Sequence, residues 1–423
     1  MNHRTARYRV SAAPATIVAI VVALFCVSLG IFVAAPAAYP GAAPVYQEPI
    51  PQKPVHQKPL IRAITVFVQV MPESIAGDVQ SAVDMLQKSK AQFEKAGYQV
   101  QTLRITTQPF EVLWRRLPEK QLLAFYDDYA ARLQKAGVIS SIGQALRTAV
   151  DNGERDLFAK VLAAHPSEFN GSIPVSDDNG LRWPAIRAAA HVMKYLEANS
   201  PHGQGNFNFA AEADVHGYSP FFPASFFTAP DHRFAIALQG ASLVDEAFSS
   251  VHGDFTKADA ALRNSLYGEV REIQSVAAQI AKNSGWTYMG LDDSTAPLID
   301  VSIGAAIEKL TGVPVGSPGT MTAAQIITRV LKDAPGQHAG YSGLMLPVLE
   351  DARLARRWSE GRLSIDSLLA YSAVCGTGLD TVPLPGEVTE QQLASIIADV
   401  ASLAIKWKKP LTARLFPVPG KKA

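Results

Sequence analysis

The stretch that decides the fold is residues 61–105, IRAITVFVQVMPESIAGDVQSAVDMLQKSKAQFEKAGYQVQTLRI. Its first ten residues are rich in β-branched side chains, which predicts a strand over 61–70. The next apolar residues are spaced to lie on one face of a helix: Val79, Val83, Leu86 and Phe93. Alternation of apolar and polar residues returns over 98–105 and predicts a second strand. Strand, helix and strand in this order predict an α/β fold.

The same rhythm continues to the end of the chain. Further strands are predicted at 207–213, 234–240 and 411–418, and further helices at 254–284, 320–333 and 390–407, the last opened by a capping box of Thr389 and Gln392. No second proline-rich break divides 61–423, which predicts one large α/β domain over these residues. Pattern alone leaves two architectures open, a barrel and a large doubly wound sheet.

The N-terminal residues differ from the rest in composition. Three arginines among the first nine residues precede an uncharged apolar run, 16–35, that is long enough to cross a bilayer as a helix. We therefore expect a signal peptide or a signal anchor over 1–37, with the two alternatives open, and a proline-rich linker over 38–60. This arrangement predicts an extracytoplasmic protein of the periplasm or cell envelope, contacting the membrane through 16–35 unless that run is cleaved.

Charge and cysteine content exclude several partners. The chain has 39 Lys and Arg against 38 Asp and Glu, so its net charge of +1 gives no field that would attract nucleic acid. Two cysteines, one of them inside the apolar run, cannot build a disulfide framework. We expect a small-molecule ligand and no nucleic-acid partner, and self-association into a homo-oligomer stays open.

Carboxylates and a histidine form the first candidate site. Glu212, Asp214 and His216 alternate, so in an extended strand they would share one face and could bind a metal ion or transfer protons. Asp292 and Asp293 follow a predicted strand, where α/β folds place functional side chains. Oxygen ligands with one histidine suit Mg, Mn or Fe. The alternative is that these carboxylates cap helices and strand ends.

A glycine-rich turn forms the second candidate site. Gly316 and Gly319 stand directly before a helix that begins near Thr320, and free backbone N–H groups there could bind an anionic group. A plain turn before a helix is the alternative. No dinucleotide fingerprint follows a convincing strand, so we expect no nicotinamide cofactor.

Cys375 is the only cysteine outside the apolar run, and it precedes Gly376, Gly378 and Asp380. Exposed backbone amides at the glycines would lower the pKa of the thiol, and the Asp380 carboxylate would raise it. Cys375 is therefore either a nucleophile or a small buried hydrophobic residue at the wall of the site.

Several motifs together resemble the family known as domain of unknown function 711, or UPF0210. They occur in order as FFPASFF, FAIALQGASLVDEAF, GLDDSTAP, GSPGT, GYSGLMLPVLEDARLA, CGTGLDTVPLPG and ARLFPVPGKKA. The resemblance implies a single barrel of about ten strands wrapped by helices, related in fold to pyruvate formate-lyase and anaerobic ribonucleotide reductase.

By that analogy, Cys375 would be a radical relay and Gly420 the nearest candidate radical glycine. The Arg-Val-x-Gly-Tyr surroundings of a radical glycine are missing.

Two functions from different classes follow from these residues. The first is an extracytoplasmic enzyme that acts on a small polar or anionic substrate inside the barrel, with acid–base or metal chemistry from the carboxylates and His216. The second is a tethered solute-binding protein with the same pocket and no reaction. A glycyl-radical enzyme using Cys375 is a third alternative.

Overall fold

One mixed sheet with helices packed against its outer face makes up the fold that the structure, a computed structural model, describes for residues 58–229 and 232–422. Its nine strands within this part of the chain are β1 (Leu60–Phe67), β2 (Val100–Thr106), β3 (Ile139–Gln144), β4 (Phe169–Pro174), β7 (Phe209–Ala213), β8 (Arg233–Gln239), β9 (Thr287–Asp292), β10 (Gly378–Pro385) and β11 (Leu411–Val418). A separate hairpin is formed by β5 (Ser176–Asp177) and β6 (Gly180–Leu181).

The helices lie between the strands in the sequence. They are α1 (Ile75–Lys95), α2 (Phe110–Trp114), α3 (Glu119–Ala136), α4 (Asn152–Ala164), α5 (Trp183–Asn199), α6 (Ala241–Ser250), α7 (Phe255–Ser284), α8 (Ile303–Thr311), α9 (Thr320–Lys332), α10 (Ala352–Ser359), α11 (Ile365–Ser372) and α12 (Glu390–Trp407). A 3₁₀ segment, Pro201–Asn208, precedes β7.

The strands fall into two sets of opposite direction. The order in the sheet is β10-β11-β7-β4-β3-β2-β1-β8-β9. The five strands from β7 to β1 are mutually parallel, whereas β8 and β9 on one side and β10 and β11 on the other run antiparallel to them. The first half of the chain therefore supplies the middle of the sheet, and the second half supplies both flanks.

The sheet is strongly curved. Arg62 of β1 and Arg414 of β11 both bind the carboxylate of Glu350. These strands are five places apart, which in a flat sheet is about 24 Å at about 4.8 Å per strand. The inner face of the sheet, opposite the helices, is therefore concave.

Two irregular segments complete the inner side. The edge segment, residues 337–348, bridges β9 in parallel at Leu291 and His338 and bridges β10 in parallel at Pro347 and Asp380. The crossing segment, residues 214–229, follows β7 and packs against the inner face before the chain continues toward β8. The predicted α/β class is confirmed, and the structure shows one large mixed sheet of nine strands within the described residues.

The elements that local sequence signals predicted lie close to where the structure has them. The capping box of Thr389 and Gln392 opens α12, and Gly285 ends α7 in the left-handed conformation. The first strand ends at Phe67, three residues before the end of the apolar pattern at Val70.

The predicted membrane segment needs a correction. Within 58–229 and 232–422, no helix is both long enough and apolar enough to cross a membrane. The longest helix, α7, buries one stripe of residues and keeps a polar face, as expected for a helix packed on a sheet. The apolar run 16–35 lies outside the described residues. The signal, transmembrane and periplasmic assignments thus have no support, and we withdraw them.

Candidate functional site

The crossing segment is held on the inner face by hydrogen bonds to neighbouring strands. Arg104 Nη1 of β2 donates to the Pro220 carbonyl over 3.1 Å. The hydroxyls of Thr106 and Ser225 are 2.6 Å apart, and Ser141 Oγ of β3 donates to the Ser225 carbonyl over 2.8 Å. The sequence FFPASFF is thus a buried loop, which polar side chains of the strands hold at Ser225 and at Pro220 just before it.

Two consecutive aromatic rings of the crossing segment each contact one guanidinium. Arg104 Cζ lies 4.9 Å from the centre of the Phe222 ring, and Arg414 Cζ lies 5.7 Å from the centre of the Phe221 ring. Such contacts favour a cation where water is excluded. Because the rings are neighbours in the chain, strands β2 and β11 direct their arginines toward one region of the inner face.

A charged network surrounds Arg414. Its Nη1 donates to Asp380 Oδ1 over 2.6 Å and to Glu350 Oε1 over 3.1 Å, and Arg62 Nη2 donates to Glu350 Oε2 over 2.8 Å. Burial tends to raise the pKa of Glu350, but the charges of Arg414 and Arg62 outweigh it and the pKa lies below its usual value. Burial raises the pKa of Asp380, while Arg414 opposes the rise.

Arg104 differs from Arg414 in having no acidic partner. Its Nε donates to Thr102 Oγ1 over 3.0 Å and its Nη1 to the Pro220 carbonyl. Within the described chain no carboxylate forms an ion pair with it, although the side chain is almost fully buried. Burial and then the charge of Arg62 lower the pKa of Arg104 to about 9, although the charge of Glu350 opposes the fall. We refer to Arg62, Arg104, Arg414, Glu350 and Asp380 as the inner-face arginine site.

Uncompensated polar atoms lie next to this site. Tyr341 Oη, Glu212 Oε2 and Ser172 Oγ are buried and make no hydrogen bond of normal geometry to any residue that the structure describes. Ser172 is nevertheless near enough to Glu212, and Thr412 near enough to Tyr341, to lower the pKa of each. Burial raises the pKa of Glu212 to about 7, against the opposing effect of Gln144 and Ser172. Burial and then the charge of Glu212 raise the pKa of Tyr341, with smaller effects from Asp380 and Asp292. We call Tyr341, Glu212 and Ser172 the Tyr341 cluster.

Asp292 holds the edge segment in place. Its carboxylate accepts hydrogen bonds from the backbone N–H groups of Tyr341 and Ser342, each over 3.0 Å, and from the backbone and hydroxyl of Ser294. A carboxylate with four donors is an anchor for the main chain, and it places Tyr341 on the inner side.

Asp293 also faces the edge segment but does not anchor it. The side chain is completely buried, and neither oxygen makes a hydrogen bond of normal geometry among the described residues, although Ser342 is near enough to lower its pKa. The nearest basic nitrogen is His338 Nδ1, 4.0 Å from Oδ1. Burial and then the charge of Asp292 raise the pKa of Asp293 to about 8.

The predicted Glu212–Asp214–His216 face is not formed. Strand β7 ends at Ala213, and Asp214 adopts a positive φ of 54°, which breaks the alternation. Glu212 is buried on the inner face, whereas Asp214 and His216 are exposed. No group of three or more His, Cys, Asp and Glu side chains in the described ranges could hold a metal ion. Glu212 and Asp292 have Tyr341 as a common neighbour, since both carboxylates act on the pKa of Tyr341.

The glycine-rich turn uses its amides internally. The Gly316 N–H donates to Thr320 Oγ1 over 3.1 Å, and the Thr320 N–H donates to the Ser317 carbonyl. Gly316 has a φ of 100°, and a Cβ there would lie 2.2 Å from the Arg362 carbonyl oxygen. Gly316, Gly319 and Thr320 therefore form a packed turn before α9, with no part in the arginine site.

Cys375 is buried, as predicted, but its side chain packs in the core between sheet and helices instead of facing the inner side. Asp380 is directed to Arg414, away from that core. Gly420 is exposed beyond the end of β11, next to Gly386, so Cys375 and Gly420 lie at opposite ends of β10. The eight residues of that strand span about 25 Å at about 3.3 Å per residue. This geometry does not suit direct radical transfer between them.

Arg104, Arg414 and Tyr341 were not predicted from the sequence as site residues. A signal for the arginines was available: each alternates with a threonine in a strand, as Thr102–Arg104–Thr106 and Thr412–Arg414. A charged residue in the inward register of a buried strand indicates a polar interior. Tyr341 carries no such signal because the edge segment has no regular period.

Known proteins match this chain over nearly its whole length. A sequence model of the DUF711 family, described as uncharacterised ACR, matches residues 55–423. The chain belongs to the DUF711 family. DUF711 relatives include the UPF0210 proteins of Pyrobaculum aerophilum, 30% identical with 86% of each chain covered, and of Bifidobacterium animalis subsp. lactis, 26% identical with 85% of this chain and 86% of the relative covered.

Among solved structures, the anaerobic ribonucleotide reductase from Thermotoga maritima with citrate in the active site aligns with 84% of this DUF711 chain and 79% of its own. The identity is 7% and the TM-score is 0.41.

These matches also correct the predicted function. The DUF711 family is described as uncharacterised, and the relatives are described only as UPF0210 proteins. Neither description supports an extracytoplasmic enzyme, and the described helices include no membrane span. The prediction of an exported enzyme or tethered binding protein is therefore withdrawn, and with it the glycyl-radical alternative.

Proposed function

We propose that this DUF711 protein binds a small molecule through an oxyanion group, carboxylate or phosphate, at Arg104 on the inner face of the sheet. The proposal assigns binding alone, with no reaction and no cellular location. The observation that carries it is a buried guanidinium without an acidic partner.

Charge balance supports this proposal. Arg62, Arg104 and Arg414 bring three positive charges to the arginine site, against the carboxylates of Glu350 and Asp380. An uncompensated charge in a protein interior destabilises the folded state by roughly several kcal/mol. An anion that docks at Arg104 would remove this imbalance, which gives the bound state a clear energetic advantage.

Hydrogen-bonding capacity supports it as well. A guanidinium has five N–H groups, and two hydrogen bonds involve Arg104 here. Thr65 pairs in register with Arg104 across β1 and β2, and its buried hydroxyl has no partner among the described residues. An arginine fork beside a hydroxyl is a suitable donor set for a planar or tetrahedral oxyanion.

We further propose that the curved sheet closes around this site as a single barrel, with the edge segment as its tenth element. Support comes from the parallel bridges of that segment to β9 and β10, and from Glu350, which joins β1 to β11. Closure would exclude bulk water and strengthen the interaction of an anion with Arg104.

The test is thermal unfolding of the full chain with potassium phosphate, sodium propionate or sodium butyrate, against chloride at equal ionic strength. At least one of the oxyanions should raise the unfolding temperature of the wild type and leave Arg104→Met unchanged. Without oxyanion, Arg104→Met removes an uncompensated buried charge but also the hydrogen bond to the Pro220 carbonyl, so its stability should stay within about 1–2 kcal/mol of wild type. Arg104→Lys keeps the charge without the fork and should bind more weakly.

Lys88 supplies the matched control. It is exposed in a surface groove of about 630 Å³ between α1 and α7 that also includes Trp286, so Lys88→Met tests binding at that groove. The variant should respond as wild type does. An equal response of Arg104→Met and wild type, or no oxyanion response in wild type, overturns the proposal.

A further inference from the structure

The Tyr341 cluster has no role in binding an anion at Arg104, yet its polar atoms lack partners. Tyr341 and Ser172 have no exposed surface, and Glu212 is 2% exposed. Their atoms Oη, Oγ and Oε2 make no hydrogen bond of normal geometry within the described residues. A buried polar atom without a partner is unfavourable by about 1–3 kcal/mol, so three close together indicate a bound polar group.

The cluster and the arginine site are neighbours. The ring of Phe221 contacts that of Tyr341 edge to face, with centres 4.8 Å apart, and the same ring lies beneath Arg414. Its chain neighbour Phe222 lies beneath Arg104. One molecule lying along the crossing segment could therefore reach both groups.

The donor set of the cluster favours a neutral oxygen. A tyrosine hydroxyl both donates and accepts, and a carboxyl with a pKa of about 7 is partly protonated at neutral pH. A second anionic group would meet Glu212 together with Asp380, whose charges also act on Tyr341. A hydroxyl group meets neither penalty.

We infer that the ligand is a small hydroxylated monoanion, whose anionic end binds Arg104 and whose hydroxyl binds between Tyr341 and Glu212. This inference rests on the proposed function, because it assigns the second end of the same ligand. Gln239, at the end of β8, and Thr295 form an isolated bridge with each other, and their unpartnered buried oxygens would accept further hydroxyls.

The experiment compares matched acids by calorimetric titration of the full chain: propionate with lactate, butyrate with 3-hydroxybutyrate and 4-hydroxybutyrate, and hexanoate with gluconate. In at least one series the hydroxylated acid should bind about tenfold more tightly, the effect of one buried hydrogen bond. Succinate should bind more weakly than butyrate, since its second carboxylate faces Glu212 and Asp380.

Tyr341→Phe should abolish the preference for the hydroxyl while leaving the affinity for the unhydroxylated acid within about twofold. Tyr129→Phe is the matched control, because Tyr129 is equally buried but bonds Ser140 on the helix side of the sheet, and it should change neither value.

Two kinds of failure are distinguishable. If acids bind in an Arg104-dependent manner but no hydroxylated member is preferred, or Tyr341→Phe keeps the preference, the inference is wrong and the proposed function stands. If no acid and no phosphate binds, both are wrong.

Discussion

Arg414 donates to Asp380 over 2.6 Å, and both side chains are nearly inaccessible to solvent, at 7% and 2% exposure. The pair joins neighbouring parallel strands, β10 and β11, on the inner face. Burial would favour the neutral form of Asp380, and Arg414 offsets that preference.

Arg414→Met should therefore destabilise the protein strongly, by about 3–5 kcal/mol. The substitution leaves the buried Asp380 carboxylate without a cation and leaves Glu350 with Arg62 alone. Urea unfolding of the full chain measures this. Arg132→Met, which breaks an exposed pair with Asp128 on α3, should change stability by less than about 1 kcal/mol. Similar losses in both variants would contradict the role given to Arg414.

The second prediction concerns the effect of a side chain at Gly340 on stability. It has a φ of 62°, and a Cβ would lie 2.1 Å from Asp292 Oδ2, in the carboxylate that anchors the edge segment. Gly340→Ala should lower the unfolding free energy by at least about 1 kcal/mol. Gly268→Ala, at an exposed position in α7 with open space around it, should raise it by about 0.5–1 kcal/mol. A tolerated Gly340→Ala would show that Asp292 does not fix this loop.

Asp293 makes stability depend on pH. Its native pKa of about 8 is raised far above its ordinary value of 3.8 by burial first, so between these values the native state holds a proton that the unfolded chain has lost. Stability should fall as pH rises through this window, with Glu212 adding a slope of the same sign up to about pH 7.

Urea unfolding midpoints measured from pH 4 to pH 9 test this predicted fall of stability with rising pH. Asp293→Asn should flatten the profile and be more stable than wild type above about pH 8, since the amide stays neutral. Asp128→Asn, at an exposed helix position, should keep the wild-type slope. A slope that persists unchanged in Asp293→Asn would rule out its contribution.

Cys375 should behave as a packing residue. Its side chain is 1% exposed in the core between sheet and helices, and Lys409 binds its carbonyl oxygen. In a chain carrying Cys26→Ser, the native thiol should react with a disulfide reagent far more slowly than in urea. Cys375→Ala should lower stability by about 1–2 kcal/mol and leave oxyanion binding intact. Rapid native modification, or loss of binding in a folded Cys375→Ala protein, would argue for a role in the site.

Local sequence signals predicted the elements far better than the site. Apolar periodicity, the Thr389 cap and the Gly285 stop depend on neighbours in the chain, so they could be read directly. The interpretation of Glu212, Asp214 and His216 as one strand face failed because the strand stops at Ala213 and Asp214 has a positive φ. The arginine site unites β1, β2 and β11, and no local pattern tells which distant strands curve toward each other.

The position of β11 has a consequence for biosynthesis. β7 pairs on one side with β4, already made, and on the other with β11, which leaves the ribosome roughly 200 residues later. At about 5–20 residues per second, the open edge of β7 and the polar side chains beside it wait for about 10–40 seconds. A nascent chain of this protein therefore presents an unpaired strand for much of its translation, and a stalled ribosome would prolong that exposure to aggregation and to chaperones.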